Sequence, residues 1–176
     1  GNQAAAAAAL GGEAAFFTKL GDDGFSRELT DALKDRKVDM SHVVYLPGET
    51  AGVAMIRVDG NGQNAISFTN GANGKLTPED IRKHQEVFGK YDILLITMEI
   101  PADTVYEAIR TAKAKGLTVI LDPAPAPEGG IPSEIAKMTD YVKPNETEAE
   151  GLSGIRVETM EDAKRCMERL RKIGFQ

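Results

Sequence analysis

The sequence predicts an α/β fold: a doubly wound parallel sheet with helices on both faces and a small antiparallel β-sheet projecting from it. Three observations carry this expectation. From Tyr91 onward, short apolar runs alternate with segments of helical period, the order that right-handed strand–helix–strand crossovers generate. The run "YDILLITME" is almost wholly apolar, as a parallel strand covered on both faces requires. Earlier in the chain, "DGNGQN" separates two runs rich in β-branched and apolar residues, which marks a hairpin.

Each element has a local reason. Asn2–Leu10 reads as a helix because alanine is the best helix former, and Gly11-Gly12 ends it. "AAFFTKLG" reads as a short strand. "DDGFSRELTDALKDRK" follows as a helix, with Phe25, Leu29, Ala32 and Leu33 at helical spacing and aspartates in front to cap it. Successive strands within about residues 43–70 form the small sheet. "TPEDIRKHQEVFGK" reads as one helix, with Thr77 as N-cap and Pro78 in the first position. The strand of "YDILLITME" leads into the helix "PADTVYEAIRTAKAKG" and the buried strand "LTVILDPAPA". A short helix "IPSEIAKM", a strand "DYVKP" and two helices, "NETEAEGLSG" and "TMEDAKRCMERLRKIG", complete the order. No internal repeat or low-complexity linker interrupts it, so residues 1–176 read as a single domain.

Composition narrows the function classes. The chain has 176 residues, 41% hydrophobic and 27% charged, which suits one globular domain with its own core. A formal charge of -6 without a basic stripe argues against a nucleic-acid partner. No run approaches the ~20 apolar residues of a membrane span. The single cysteine, Cys166, lies on the apolar face of "AKRCMERL" and reads as packing. His42 and His84 stand in unlike contexts and complete no zinc site with it. A reducing, cytoplasmic setting fits this cysteine usage. The chain opens without methionine and reads as though it begins within a longer protein.

Ligands of open parallel α/β sheets bind beyond the C-terminal ends of the strands, so polar residues at "LLITME", "VILDPAP" and "YVKPNETE" are the candidates. Glu99 reads either as a cap for the helix near Pro101 or as an acceptor for ligand hydroxyls. Asp122 can cap, orient a water or approach a metal, with a structural role favoured. Asn145 and Glu148 form N-x-x-E, which is a capping box and equally a place for phosphate and magnesium at a helix start. Generic motifs fail. "GANGKL" lacks the spacing of a Walker A loop, and neither G-x-G-x-x-G nor G-x-S-x-G occurs in the required context.

Taken in order, these pieces resemble the PfkB carbohydrate kinase family, of ribokinase-like fold. "GNQAAAAAALGGEAAFFTKLGDDGF" is similar to its first signature, with Asn2, Ala4, Gly11 and Gly21 at the family spacings. "ETAGVAMIRVDGNGQNAI", "ITMEIP", "LDPAPAP" and "VKPNETEAEGLSGI" follow in family order. The resemblance implies transfer of the γ-phosphoryl group of ATP to a sugar hydroxyl, O5 of ribose in the nearest case. It implies that Asn2 and Glu99 bind the sugar, and that Asn145 and Glu148 serve ATP phosphates and Mg2+, Glu148 reaching the metal through water. It further implies a monovalent cation such as K+, and a lid formed by the small sheet that pairs two subunits into a homodimer. Alternatives are a kinase of the family for another sugar or a nucleoside, and a non-catalytic sugar- or phosphate-binding module. The family pattern also contains an earlier sugar-contacting segment and a later Gly-Ala-Gly-Asp helix start carrying the catalytic base and the cation site. Neither has a counterpart in this sequence. The expectation is therefore a central fragment with no catalytic base of its own, inactive by itself.

Overall fold

The computed structural model describes the backbone of residues 1–176 and the side chains of all of them except residue 64. It divides into two compact units, Gly1–Leu76 and Thr77–Gln176.

In the first unit, α1 (Asn2–Ala9) lays Ala4, Ala5 and Ala8 on a core of Leu20, Leu33, Val38 and Met40. Small side chains allow this close approach, and their partial burial favours the helix beyond its propensity. β1 (Lys19–Leu20) pairs in parallel with β2 (Val44–Tyr45), and α2 (Gly24–Asp35) forms the crossover. The strand expected over "AAFFTKLG" is thus two residues long, preceded by an isolated bridge between Ala15 and Asp39. The partner segment turns at Met40–Val43, where the Val43 N–H bonds the Met40 carbonyl, and that turn interrupts the ladder.

Asp23 caps α2 by accepting from the Ser26 amide at 2.9 Å, and it also accepts from the Ala51 amide at 3.2 Å. Asp22 accepts from the Gly48 amide at 3.1 Å. The helix start is therefore tied to the loop that leads into the small sheet. Gly21 completes the junction, because a Cβ there would lie 2.0 Å from the Glu49 carbonyl oxygen. β3 (Val53–Val58) and β4 (Asn64–Thr69) then form the expected antiparallel ribbon, in register from Val53↔Thr69 to Val58↔Asn64. The alternation of side chains puts Ala54, Ile56, Val58, Ile66 and Phe68 on one face, all of them exposed.

In the second unit, the single helix expected over "TPEDIRKHQEVFGK" is two, α3 (Pro78–Lys83) and α4 (Gln85–Phe88). The His84 ring explains the break. Its Nδ1 donates to the Asp80 carbonyl at 2.9 Å, and the His84 amide turns to Ile81 instead. β5 (Ile93–Thr97), β6 (Thr118–Asp122) and β7 (Tyr141–Val142) form a parallel sheet in the order β5-β6-β7. α5 (Ala102–Ala114) connects β5 to β6 and buries Thr104, Val105, Ala108, Ile109 and Ala112 in one stripe. α6 (Ser133–Lys137) connects β6 to β7, while α7 (Glu146–Ser153) and α8 (Met160–Ile173) pack together through Ala149, Leu152, Cys166 and Leu170. Cys166 is buried, with its sulfur 3.7 Å from the Ala149 carbonyl oxygen, in keeping with the packing role read from its helix face. The expectation that β5 is covered on both faces holds on one. Ile96 is buried, whereas Ile93 and Leu95 on the opposite face are 55% and 40% exposed.

Candidate active site

The parallel register aligns the C-terminal ends of three strands, with Thr97 opposite Asp122 and, one step beyond Leu121↔Val142, Lys143 beside Asp122. The ladder continues into that step, since the Lys143 amide donates to the Leu121 carbonyl at 3.0 Å. Four of the sequence candidates lie in this unit: Glu99, Asp122, Asn145 and Glu148. Asn2 lies in the other unit, exposed in the first position of α1.

Glu99 is exposed, two residues beyond β5, and its amide reaches the Thr97 hydroxyl at 3.4 Å. It does not cap α5: the N-cap is Pro101, which makes no side-chain cap bond, and within the first turn the Thr104 amide donates to the Asp103 carboxylate at 2.8 Å. The capping alternative for Glu99 is therefore set aside. Asp122 closes β6 and also caps no helix. Its carboxylate, only 15% exposed, lies 3.2 Å from the Lys143 ammonium, whose side chain is 73% exposed.

Asn145 and Glu148 form a complete capping box. Asn145 Oδ1 accepts from the Glu148 amide at 2.8 Å, and Glu148 Oε2 accepts from the Asn145 amide at 2.9 Å. A third bond runs from Asn145 Nδ2 to Glu148 Oε1 at 3.0 Å. Asn145 adopts the extended backbone of an N-cap, with φ -78 and ψ -178. The pair is thus locked by atoms within four residues, and the cap alone explains the motif's local geometry. It does not exhaust the motif. A carboxylate offers roughly four acceptor positions, of which Asn145 occupies two. The first amides of α7 have no partner within the helix and favour negative charge in front of them.

Next to this cap, a cavity of about 450 Å³ opens between β7, α7 and α8, with Val142, Ala149, Cys166 and Leu170 in its walls and Asn145 at its rim. Its lining does not include Glu99, Asp122 or Lys143. Among the described residues, no group of three or more His, Cys, Asp or Glu side chains is arranged to hold a metal ion. Lys143 and Thr97 are the strand-end residues that sequence reading passes over. The available signal was position alone, a lysine and a threonine each at the end of an apolar run.

Comparison with known proteins places these elements in context. The family model described as pfkB family carbohydrate kinase matches residues 1–175. The chain is 36% identical to a ribokinase of Staphylococcus aureus over 93% of its own length and 53% of the relative's. It is 38% identical to a deoxyribokinase of Salmonella typhi over 90% and 51% of the two lengths. It therefore spans about half the length of these curated relatives. The structure of Arabidopsis thaliana ribokinase complexed with ribose and ATP superposes with a TM-score of 0.85 at 30% identity, covering 99% of this chain and 56% of that one.

Removing the cap has a predicted cost. Asn145→Ala should destabilise the protein by about 1 kcal/mol in urea unfolding, while Asn145→Ser, which keeps an uncharged acceptor oxygen beside the Glu148 carboxylate, should cost less than half of that. Equal losses for the two variants would contradict the capping account.

Proposed function

The chain belongs to the pfkB carbohydrate kinase family, and from that premise we propose that it forms part of an enzyme transferring the terminal phosphoryl group of ATP to O5 of ribose. The product is ribose 5-phosphate. The observation that carries this reading is a capped helix start at a parallel strand's C-terminal end, in a chain whose relatives include ribokinases. Because the chain spans about half of those relatives, the activity is proposed for the whole protein.

Asn2 and Glu99 are assigned to the sugar. An amide both donates to and accepts from hydroxyls, and a carboxylate accepts from them, and both residues are exposed. Asn145 and Glu148 are assigned to the ATP phosphates and magnesium. Amide and carboxylate oxygens are hard donors that suit Mg2+, an ion that retains several of its waters, and Glu148 would reach it through one of them. When bound, the metal neutralises charge on the phosphates, and the residues of this chain serve to position the reactants. A monovalent cation such as K+ belongs to the reading, with no residue of this chain assigned to it. Residues 1–176 act as one ribokinase-like domain whose ribbon, β3 and β4, is the lid over the sugar. A cytoplasmic location fits substrates of this kind, and among the described residues no helix is long and apolar enough to cross a membrane. A neighbouring pentose is the second reading, favoured by the 38% identity to a deoxyribokinase.

Release of ADP by the whole protein tests the assignment. It should require ATP, Mg2+ and sugar, with a higher kcat/KM for ribose than for 2-deoxyribose; the reverse order would select the second reading. Glu99→Ala should lower kcat/KM for ribose by about ten- to a hundred-fold, the loss expected for a hydrogen bond to a charged group, with KM for ATP unchanged. Glu148→Ala should raise the Mg2+ requirement more than it lowers the melting temperature. No phosphorylation of either pentose would sink the proposal.

The ribbon also supports a homodimer. A two-stranded sheet is marginal by itself in water, and one face here is entirely apolar at the described side chains Ala54, Ile56, Val58, Ile66 and Phe68. Sedimentation should show a dimer that Ile56→Glu converts to monomer. A monomeric unsubstituted protein would rule the assembly out.

A further inference from the structure

We propose that Asp23 is a positioning residue for sugar binding: it joins the start of α2 to the root of the β3–β4 ribbon and so fixes the direction in which the ribbon projects. The inference deepens the kinase reading and rests on its assignment of the ribbon as the lid over the sugar. Its starting point is how little of the ribbon packs on the rest of its unit. Every described side chain of β3 and β4 except Val53 is exposed. Within its own chain, the ribbon's direction is therefore set where the backbone enters it, at 48–52, and leaves it, at 70–73.

Both stretches are tied to one short segment, 18–23. On the entering side, Asp22 Oδ1 accepts from the Gly48 amide at 3.1 Å, and the Asp22 amide donates to the Glu49 carbonyl at 3.2 Å. Asp23 Oδ1 accepts from the Ala51 amide at 3.2 Å, two residues before β3 begins. On the leaving side, the Thr18 hydroxyl donates to Asn73 Oδ1 at 3.2 Å. The two roots are joined to each other, since the Ala72 amide donates to the Thr50 carbonyl at 2.9 Å. Their crossing is tight: at Gly71, with φ +49, a Cβ would lie 2.4 Å from the Ala51 carbonyl oxygen.

Capping alone does not account for Asp23. An N-cap needs one oxygen for an amide of the first turn, which the bond from Ser26 at 2.9 Å satisfies, and serine caps about as well as aspartate. The same Oδ1 takes the Ala51 amide from 28 residues away, a contact that belongs to the ribbon and not to the helix. Leverage makes that contact matter. Six residues of strand span about 20 Å, so a tilt of about 10° at the root moves the tip by about 3 Å. A displacement of about 1 Å at a reacting site can cost up to about a hundred-fold in rate.

Steady-state kinetics of the whole protein with ribose and ATP, together with thermal unfolding, test the role. Asp23→Ser keeps a capping oxygen but shortens the side chain, which removes the link to Ala51. It should raise KM for ribose about fivefold or more, the equivalent of one net hydrogen bond, with KM for ATP unchanged. Asp23→Asn, whose amide oxygen can accept both bonds, should restore KM for ribose. Thr159→Ala removes the cap of α8 and lowers stability away from the ribbon, and it should leave KM for ribose unchanged. Thr18→Val, which frees the leaving strand at Asn73, should raise KM for ribose as Asp23→Ser does, and it carries the test if Asp23→Ser does not fold. An unchanged KM for ribose in these two root variants overturns the inference and leaves the kinase reading standing. So does a rise shared equally by ribose and ATP, or one that Thr159→Ala reproduces or Asp23→Asn fails to reverse. No phosphorylation of ribose by the unsubstituted protein overturns the inference together with the kinase reading.

Discussion

The pairing of β6 with β5 on one side and β7 on the other is the constraint on which the second unit depends. One register places Val119 and Leu121 in the core with the buried stripe of α5, and the same register brings Thr97, Asp122 and Lys143 to a common edge. A slip of one residue would exchange the faces, exposing the core set and burying the polar row. Burial of apolar side chains and alignment of the strand-end groups therefore have the same cause. The restraint from Asp140 is of the same kind: its carboxylate takes two bonds from Lys113, at 2.9 and 2.8 Å, and one from the Val119 amide at 2.7 Å. That fixes the approach to β7 against the end of α5.

From this edge the chain passes directly into the cap of α7. Two residues after Lys143, Asn145 and Glu148 satisfy one another and stop the helix from fraying. The cap uses two of the roughly four acceptor positions of the Glu148 carboxylate, so the proposed ligand role would not have to break it. The cap holds the pair in place by itself, and groups fixed in advance lose little freedom on binding, which is what the proposed role asks of them.

How much of this is legible in the sequence depends on the range of the interaction. The capping box at Asn145, the N-cap at Thr77 and the hairpin at "DGNGQN" are set by residues within a few positions, and they read correctly. The family resemblance reads correctly as well, because its motifs are spread along the whole chain in order. What escapes is set by distant partners. β1 is short because the segment opposite it turns, which no pattern within "AAFFTKLG" reveals. The break at His84 depends on an imidazole competing for a backbone carbonyl, inside a segment whose periodicity favours one helix. Glu99 fails as a cap because Pro101 sets the start of α5. The row of Thr97, Asp122 and Lys143 requires the register itself.

The central claim is that the C-terminal edge of β5, β6 and β7, together with the start of α7, forms the anion-binding corner of a kinase. Amide chemical-shift mapping of the isotopically labelled protein, titrated with Mg2+ and a non-hydrolysable ATP analogue, tests it most directly. The account predicts saturable shifts concentrated at Asp122, Lys143 and Asn145–Glu148. Saturable shifts that leave these residues unmoved and fall elsewhere in the chain would contradict it.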